Sequence, residues 1–138
     1  MGVYMKIIFY FQVIGIVFFF GCSPTNPDDF RHEGQALVRA LMTDLGSVHT
    51  RDDLIVMEPI LKKRFELLAL LMIEARQFQI DHSDAVLTPI GPYDVELNDQ
   101  LQEELARVYR IETGHSIIER AQREAMLRLD AFERNISK

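Results

Sequence analysis

Apolar residues that recur every three or four positions constrain this fold more than any other feature of the sequence. The clearest run lies near the carboxyl-terminal end, where the successive spacings are 3, 4, 4, 3 and 4 residues. Its members are Ile118, Ala121, Ala125, Leu129, Phe132 and Ile136. Because an α-helix turns once in about 3.6 residues, side chains at these spacings share one helix face. No stretch shows the sustained apolar–polar alternation of a half-buried strand, so the sequence predicts an all-α fold.

Local signals divide the helical pattern into four helices. Thr50, followed by acidic residues, resembles an N-cap, and Pro59 should either kink the second helix or begin a new one. Gly114 stands where a left-handed C-cap would end the third helix. Ser116 and Glu119 fit a capping box at the start of the fourth. The first, third and fourth predicted helices cover about 28–49, 95–113 and 117–136. The second begins after Thr50, and apolar residues dominate it through 54–78.

The connections between these helices indicate how they are arranged. Pro89, Gly91 and Pro92 exclude a continuous helix in the irregular segment 81–93. The other two connections are short, which favours antiparallel neighbours. The sequence therefore predicts one helical domain, 28–138, folded as a small antiparallel bundle of three or four helices. A three-helix bundle with an additional arm, or an extended hairpin of the last two helices, stays open as an alternative.

The charge balance narrows the function. The chain carries 15 basic and 21 acidic residues, a formal net charge of −6. Nucleic-acid binding and electrostatic attachment to anionic lipid both require a basic surface, so the composition argues against both. The acidic excess is concentrated in 81–115, where eight acidic residues accompany two arginines. We interpret this region as a solvated helix face or as a docking face for a basic partner.

A candidate surface for a protein partner combines the apolar residues of 85–93 with the acidic third helix. Apolar loop residues either cover one end of the core or, when exposed, mark an interface. The degree of solvent exposure distinguishes the two interpretations. The residues predicted to contact a partner are Leu87, Ile90, Tyr93, Glu103 and Glu104.

The first 21 residues have the parts of an export signal. Residues 1–6 contain one basic residue, Lys6, and residues 7–20 are apolar except for Gln12 and Gly15. A helix that spans a bilayer needs about 20 apolar residues, and these 14 are fewer. The pattern predicts a cleaved signal peptide over 1–21, with an uncleaved transmembrane anchor as the alternative.

The end of this segment resembles the lipobox of bacterial lipoproteins. Gly21 and Cys22 match the family pattern, whereas Phe19 and Phe20 stand where aliphatic or small residues are usual. The resemblance implies cleavage after Gly21, a diacylglyceryl thioether on Cys22, and often a further acyl chain on the new amino group. Ser23 is similar to the residue found at this place in outer-membrane lipoproteins. Residues 22–27 would then be the lipidated cysteine and a short tether to the domain.

These observations favour a non-enzymatic protein. We find no pattern that predicts a catalytic residue, a metal site or a cofactor, and Cys22 is the only cysteine. The leading hypothesis is a lipid-anchored envelope protein on the periplasmic or outer face of a membrane, with a structural or protein-interaction role. The second hypothesis is a carrier of a small apolar ligand, which would need a cavity between the helices.

Overall fold

A computed structural model describes residues 24–85 and 89–138 of the chain. The predicted signal segment 1–21, the predicted lipid site Cys22 and the predicted contact Leu87 lie outside the described residues. All regular structure in the described part is helical, which confirms the predicted all-α fold with four helices. The helices are α1 (Pro27–Gly46), α2 (Arg51–Asp81), α3 (Pro92–Tyr109) and α4 (Gly114–Ile136).

Helix α1 begins one residue before its predicted start and ends three residues before its predicted end. The side chain of Asn26 accepts a hydrogen bond from the Asp29 N–H at 3.0 Å, and Pro27 occupies the first turn, where a missing N–H has no cost. Val48 belongs to the apolar stripe that predicted the longer helix. It is fully buried, but it lies in the connection after Gly46. Burial of this connection explains why the apolar pattern extends beyond the helix.

Helix α2 begins where the sequence predicts. Thr50 Oγ1 accepts from the Asp53 N–H at 3.1 Å, and Asp53 Oδ2 accepts from the Thr50 N–H at 2.9 Å. This reciprocal pair is a capping box and confirms Thr50 as the N-cap. Pro59 lies inside the continuous helix and does not begin a new one. The helix reaches Asp81, three residues beyond the predicted apolar stretch.

The turn between α3 and α4 differs from the prediction. Gly114 is the first residue of α4, and the residue in the left-handed region is Thr113, with φ of 61°. A Cβ atom on Gly114 would lie 2.1 Å from the Val108 carbonyl oxygen, so glycine is required by close approach. Ser116 lies within α4, and its hydroxyl donates to the Thr113 carbonyl at 3.0 Å, so the predicted N-cap there is also wrong.

Helix α3 is displaced toward the amino terminus relative to the predicted range 95–113. Pro92 occupies its first turn, and the Asp94 carboxylate accepts from the Gly91 N–H at 2.9 Å. This proline and carboxylate favour a helix start three residues earlier than the apolar stripe alone indicates.

In the described part of the chain, the four helices form a bundle in which each helix contacts two others. Helix α4 packs along α2, and α1 packs between α2 and α3. Helices α3 and α4 have a smaller contact. An exposed ion pair, in which Arg120 Nη2 donates to Glu58 Oε2 at 2.6 Å, also joins α4 to α2.

The packing is tighter at one end of the bundle than at the other. We call the end with the two short connections the closed end. Its fully buried side chains are Leu41, Leu45, Val48, Leu54, Leu61, Val108 and Ile118. At the opposite end, which we call the open end, most apolar side chains are only partly buried. They include Phe30, Ile73, Phe78, Leu129 and Phe132, while Met72 is exposed.

Candidate functional site

Two apolar grooves lie at the open end, on either side of the first turns of α1. The larger, which we call the α1–α3 groove, encloses about 590 Å³. The smaller, the α1–α4 groove, encloses about 440 Å³ between α1, the end of α2 and the end of α4. Pro27, Arg31 and Met72 line both grooves. The grooves therefore meet beside the start of α1.

The α1–α3 groove exists because α2 and α3 lie on different sides of α1. Within the described residues the backbones of α2 and α3 do not meet, and the space between them is bounded by side chains. Gly34 faces this space without a side chain and leaves it open. The apolar part of the lining consists of Pro27, Gly34, Val38, Met72, Pro89, Ile90, Leu97 and Leu101.

A polar cluster at the start of α3 forms one wall of the α1–α3 groove. The Asp94 carboxylate accepts hydrogen bonds from Gln35 Nε2 at 2.7 Å and from the Gly91 N–H at 2.9 Å. It also pairs with Arg31 Nη2 at 3.0 Å. The hydrogen bond from Gln35, followed by those from Gly91 and Arg31, lowers the pKa of Asp94. The ionised carboxylate thus ties the first turn of α3 to α1.

Arg31 has one polar atom that the cluster does not satisfy. Its Nε is buried and has no hydrogen-bond partner among the residues that the structure describes. Its Nη2 is held by Asp94, so the guanidinium is anchored at one corner only. Because Nε is covered by protein atoms, an acceptor that entered the groove would meet only the exposed part of this cationic side chain.

The chain just before α1 is held in a defined turn. The Thr25 N–H and hydroxyl both donate to Asp29 Oδ2 at 3.1 Å. The backbone hydrogen bond from Thr25 is the main cause of a lowered pKa for Asp29. Thr25 is therefore fixed relative to Pro27, the residue at which the two grooves meet.

The predicted partner contacts fall in separate places. Ile90 is 81% exposed and lines the α1–α3 groove, and Tyr93 is partly exposed with its hydroxyl accepting from Arg39 Nη1 at 2.9 Å. Glu103 is exposed, whereas Glu104 pairs with Arg107 at 2.9 Å. Tyr93 and Glu104 are 11 residues apart on one helix, or about 16 Å along its axis. They do not form one compact site, and their role as contacts stays a prediction.

Sequence reasoning missed the grooves and the residues that shape them. Arg31, Gln35 and Gly34 recur on one side of α1, but only the placement of α3 shows that this side borders an open space. The motif Gly91-Pro92 followed by Asp94 was a readable signal for a helix start. It would have placed the Asp94 carboxylate at the end of α3 that faces α1.

Metal-binding residues do not cluster in the described part of the chain. No group of three or more His, Asp or Glu side chains there could hold a metal ion. The Glu112 and His115 pair, which has a spacing used in metal sites, is divided by the turn: only His115 belongs to α4. His115 Nδ1 lies 3.4 Å from Glu119 Oε1 instead.

None of the helices within 24–85 and 89–138 combines the length and the apolar character needed to cross a bilayer. No family model, no curated protein and no solved structure matches this chain.

Proposed function

We propose that this protein is a lipid-anchored envelope protein of the bacterial lipoprotein type. Cys22 would carry the acyl chains after cleavage at Gly21, and the helical domain would stand on the periplasmic or outer face of a membrane. Ser23 favours the outer membrane. The observation that carries the proposal is the position of the open end: both apolar grooves meet at Pro27, five residues after Cys22. The predicted anchor and the incompletely covered apolar surface therefore belong to the same end of the molecule.

Charge supports an anchor of this kind. Removing residues 1–21 takes away Lys6 and leaves 14 basic and 21 acidic residues, a net charge of −7. Such a domain is repelled by anionic lipid, so a basic surface cannot hold it at a membrane. Burial of acyl carbons contributes about 0.8 kcal/mol for each CH₂ group, and two or more chains anchor a protein stably.

A structural or interaction role fits the polar groups of the open end better than catalysis does. The cluster of Asp94, Gln35 and Arg31 links two helices, and the carboxylate is already occupied by three donors. The exposed Ile90 and Tyr93 next to it are the groups available to a protein partner. We therefore propose a non-enzymatic interaction module.

A second candidate function, carriage of a small apolar ligand, is favoured by the volume of the α1–α3 groove. About 590 Å³ lies within the range of roughly 300–1,000 Å³ that is typical of small-molecule sites. The two functions are compatible, because a lipid-anchored protein can hold a ligand beside the membrane.

The experiment that tests the anchor is expression of the full chain in a bacterium that processes lipoproteins. We expect the purified protein to begin at Cys22, to carry acyl mass on that residue and to partition into detergent. Cys22→Ser should leave the precursor uncleaved and without acyl mass, while the control Ser23→Ala should be processed normally. A native polypeptide that begins at Met1 and bears no acyl group would overturn the proposal. If it were still held in the membrane, the uncleaved anchor would replace it.

A further inference from the structure

We infer that the α1–α3 groove shelters one of the acyl chains carried by Cys22 of the same molecule. The inference rests on the proposed lipidation of Cys22 and names the occupant of the groove. The occupant follows from three features: how far the tether can reach, how long the groove is, and how polarity changes along it.

The tether keeps Cys22 close to the groove. Thr25 is fixed by its two hydrogen bonds to Asp29, and Cys22 precedes it by three residues. Three residues of fully extended chain span at most about 11 Å. The chain length therefore limits the Cα of Cys22 to within about 11 Å of that of Thr25, which precedes Pro27 by two residues at the start of the groove. A free ligand would have to be captured from solution, whereas this acyl chain is held at the entrance by a covalent bond.

The length of the groove matches an acyl chain. Its wall on α1 runs from Pro27 to Val38, which is 11 residues or about 16 Å of helix. The hydrocarbon core of a bilayer is about 30 Å thick, so an acyl chain in one leaflet spans about 15 Å. A single chain can thus lie along the groove without bending back.

The groove is polar near Pro27 and apolar farther along. An acyl-glyceryl group has the same order, with its ester groups near the cysteine sulfur and its hydrocarbon beyond them. Arg31 and Asp94 lie in the early turns of α1 and α3, near Pro27. The ester oxygens of the lipid would lie there, close to the exposed part of the Arg31 guanidinium. Val38 and Leu101 lie about two helical turns beyond Arg31 and Asp94 and would contact the hydrocarbon, as would the 57% exposed Met72 where the two grooves meet. Covering this surface removes apolar area from water.

The α1–α4 groove is a poorer fit. It encloses about 440 Å³, against about 590 Å³ for the α1–α3 groove. Phe30 and Phe78 close part of it through a ring contact with centroids 5.5 Å apart. We therefore assign the acyl chain to the α1–α3 groove alone.

Photo-crosslinking of the intact lipoprotein tests the assignment. Cells that express the full chain would be fed a fatty acid with a diazirine near its end, which is incorporated into the lipid on Cys22. Washed membranes would be irradiated, and tryptic peptides would be identified by mass spectrometry. We expect crosslinks within one molecule to peptide 32–39, which contains residues of this groove alone, and to 89–101 within peptide 77–107, located by fragmentation. Crosslinks only to membrane lipid, to peptide 129–134 of the other groove, or between two copies of the protein would overturn the inference.

A variant whose side chain fills the groove tests whether the acyl chain binds there. A Cβ on Gly34 would have as its nearest neighbour Leu71 Cδ2, at an ordinary 3.6 Å, so Gly34→Leu should fold and place its side chain in the groove. Gly46→Leu is the control, since position 46 is in the same helix with open space around it. We expect Gly34→Leu to lower the yield of crosslinks to 89–101 about tenfold, equivalent to about 1.4 kcal/mol, and Gly46→Leu to leave it unchanged.

The same spectra separate the two proposals. The mass of the amino-terminal peptide shows whether Cys22 is acylated, and the crosslinked peptides show where the chain lies. An unmodified Cys22 would overturn the proposed function and this inference together. An acylated Cys22 with equal crosslink yields in Gly34→Leu and the native protein would overturn the inference alone. Circular dichroism confirms that both variants are folded.

Discussion

Two glycines in this chain stand in opposite surroundings, and the difference can be measured. At Gly114 an added Cβ would lie 2.1 Å from the Val108 carbonyl oxygen, a backbone atom that cannot turn away. At Gly34 the same atom would make only an ordinary contact with Leu71.

We expect Gly114→Ala to destabilise the protein by about 1–3 kcal/mol, because the turn between α3 and α4 must open. Gly34→Ala should instead stabilise it by about 0.5–1 kcal/mol, because alanine loses less backbone entropy in a helix interior. Urea unfolding followed by circular dichroism measures both. An unchanged stability for Gly114→Ala would contradict the close approach of the two helices.

The surroundings of Gly114 also explain why the predicted left-handed C-cap at this residue was wrong. A glycine between two apolar stripes indicates a special backbone position, and the stripes place that position correctly near 114. The sequence does not tell a left-handed backbone from a close approach, since both favour glycine. Thr113 adopts the left-handed conformation instead, which residues branched at Cβ seldom do.

At the scale of elements, α1 is capped by a side chain from α3. Arg107 donates to the carbonyl oxygens of Leu45 and Val48, both at 2.7 Å, and Glu104 holds the guanidinium from the other side. The carbonyls at the end of a helix lack partners in the helix itself, so this contact both caps α1 and joins it to α3.

We expect Arg107→Gln to destabilise the protein by about 1–3 kcal/mol, because it removes charge-assisted hydrogen bonds from partly buried carbonyls. Glu104→Gln should cost less, about 1 kcal/mol or below, since it removes only the group that orients Arg107. Glu103→Gln, one residue away and exposed, is the control and should leave the urea midpoint unchanged. If Glu104→Gln and Glu103→Gln behaved alike, Glu104 would be available to a partner, as the sequence predicts.

Pro59 gives a second test at the element scale. Proline has no N–H, so the carbonyl of Ile55 receives no helical hydrogen bond from position 59 of α2. We expect Pro59→Ala to stabilise the protein by about 1–3 kcal/mol in urea unfolding, because it restores this bond in an otherwise continuous helix. A loss of stability would mean that the packing of α4 on α2 depends on a bend at Pro59.

Some features of the helices are set by residues that are near in sequence, and others by residues that are distant. The number of helices and the start of α2 follow from apolar periodicity and from the Thr50–Asp53 pair, which need no distant residue. The end of α1 depends on Arg107, 62 residues after Leu45, and no local pattern announces it. The α1–α3 groove depends on how far α3 lies from α2, which is set by packing at the closed end. It could therefore not be predicted from the sequence.

At the scale of the whole molecule, ionised carboxylates link the chain at both ends of the bundle. Asp94 joins α3 to α1 at the open end, and Asp53 caps α2 at the closed end. The carboxyl groups whose pKa is lowered by such hydrogen bonds are Asp29, Asp53, Glu58 and Asp94. For Asp53 the leading cause is the backbone hydrogen bond from His49, and for Glu58 it is the side chain of Arg120.

These shifts fix the direction in which stability depends on pH. A carboxyl group with a lowered pKa in the folded state binds fewer protons there than in the unfolded chain. The stability that these carboxyl groups contribute is therefore fully present above their ordinary pKa of about 4. It is lost as the pH falls through the lower pKa values that they have in the folded state. We expect the urea midpoint to be steady between about pH 7 and pH 5 and to fall progressively toward about pH 3.

Asp94→Asn and Asp53→Asn should each reduce the loss of stability on acidification, because the amide keeps an acceptor oxygen but does not titrate. Asp52→Asn is the matched control, since it removes an exposed carboxylate beside Asp53 and leaves the Thr50–Asp53 capping box in place. Asp94 lies at the open end, where it joins α3 to α1. Asp94→Asn should therefore also reduce the loss of hydrogen-exchange protection in α3 between about pH 5 and pH 3. A midpoint that stayed constant from about pH 6 to pH 3 in the native protein would show that these carboxylates do not hold the bundle together.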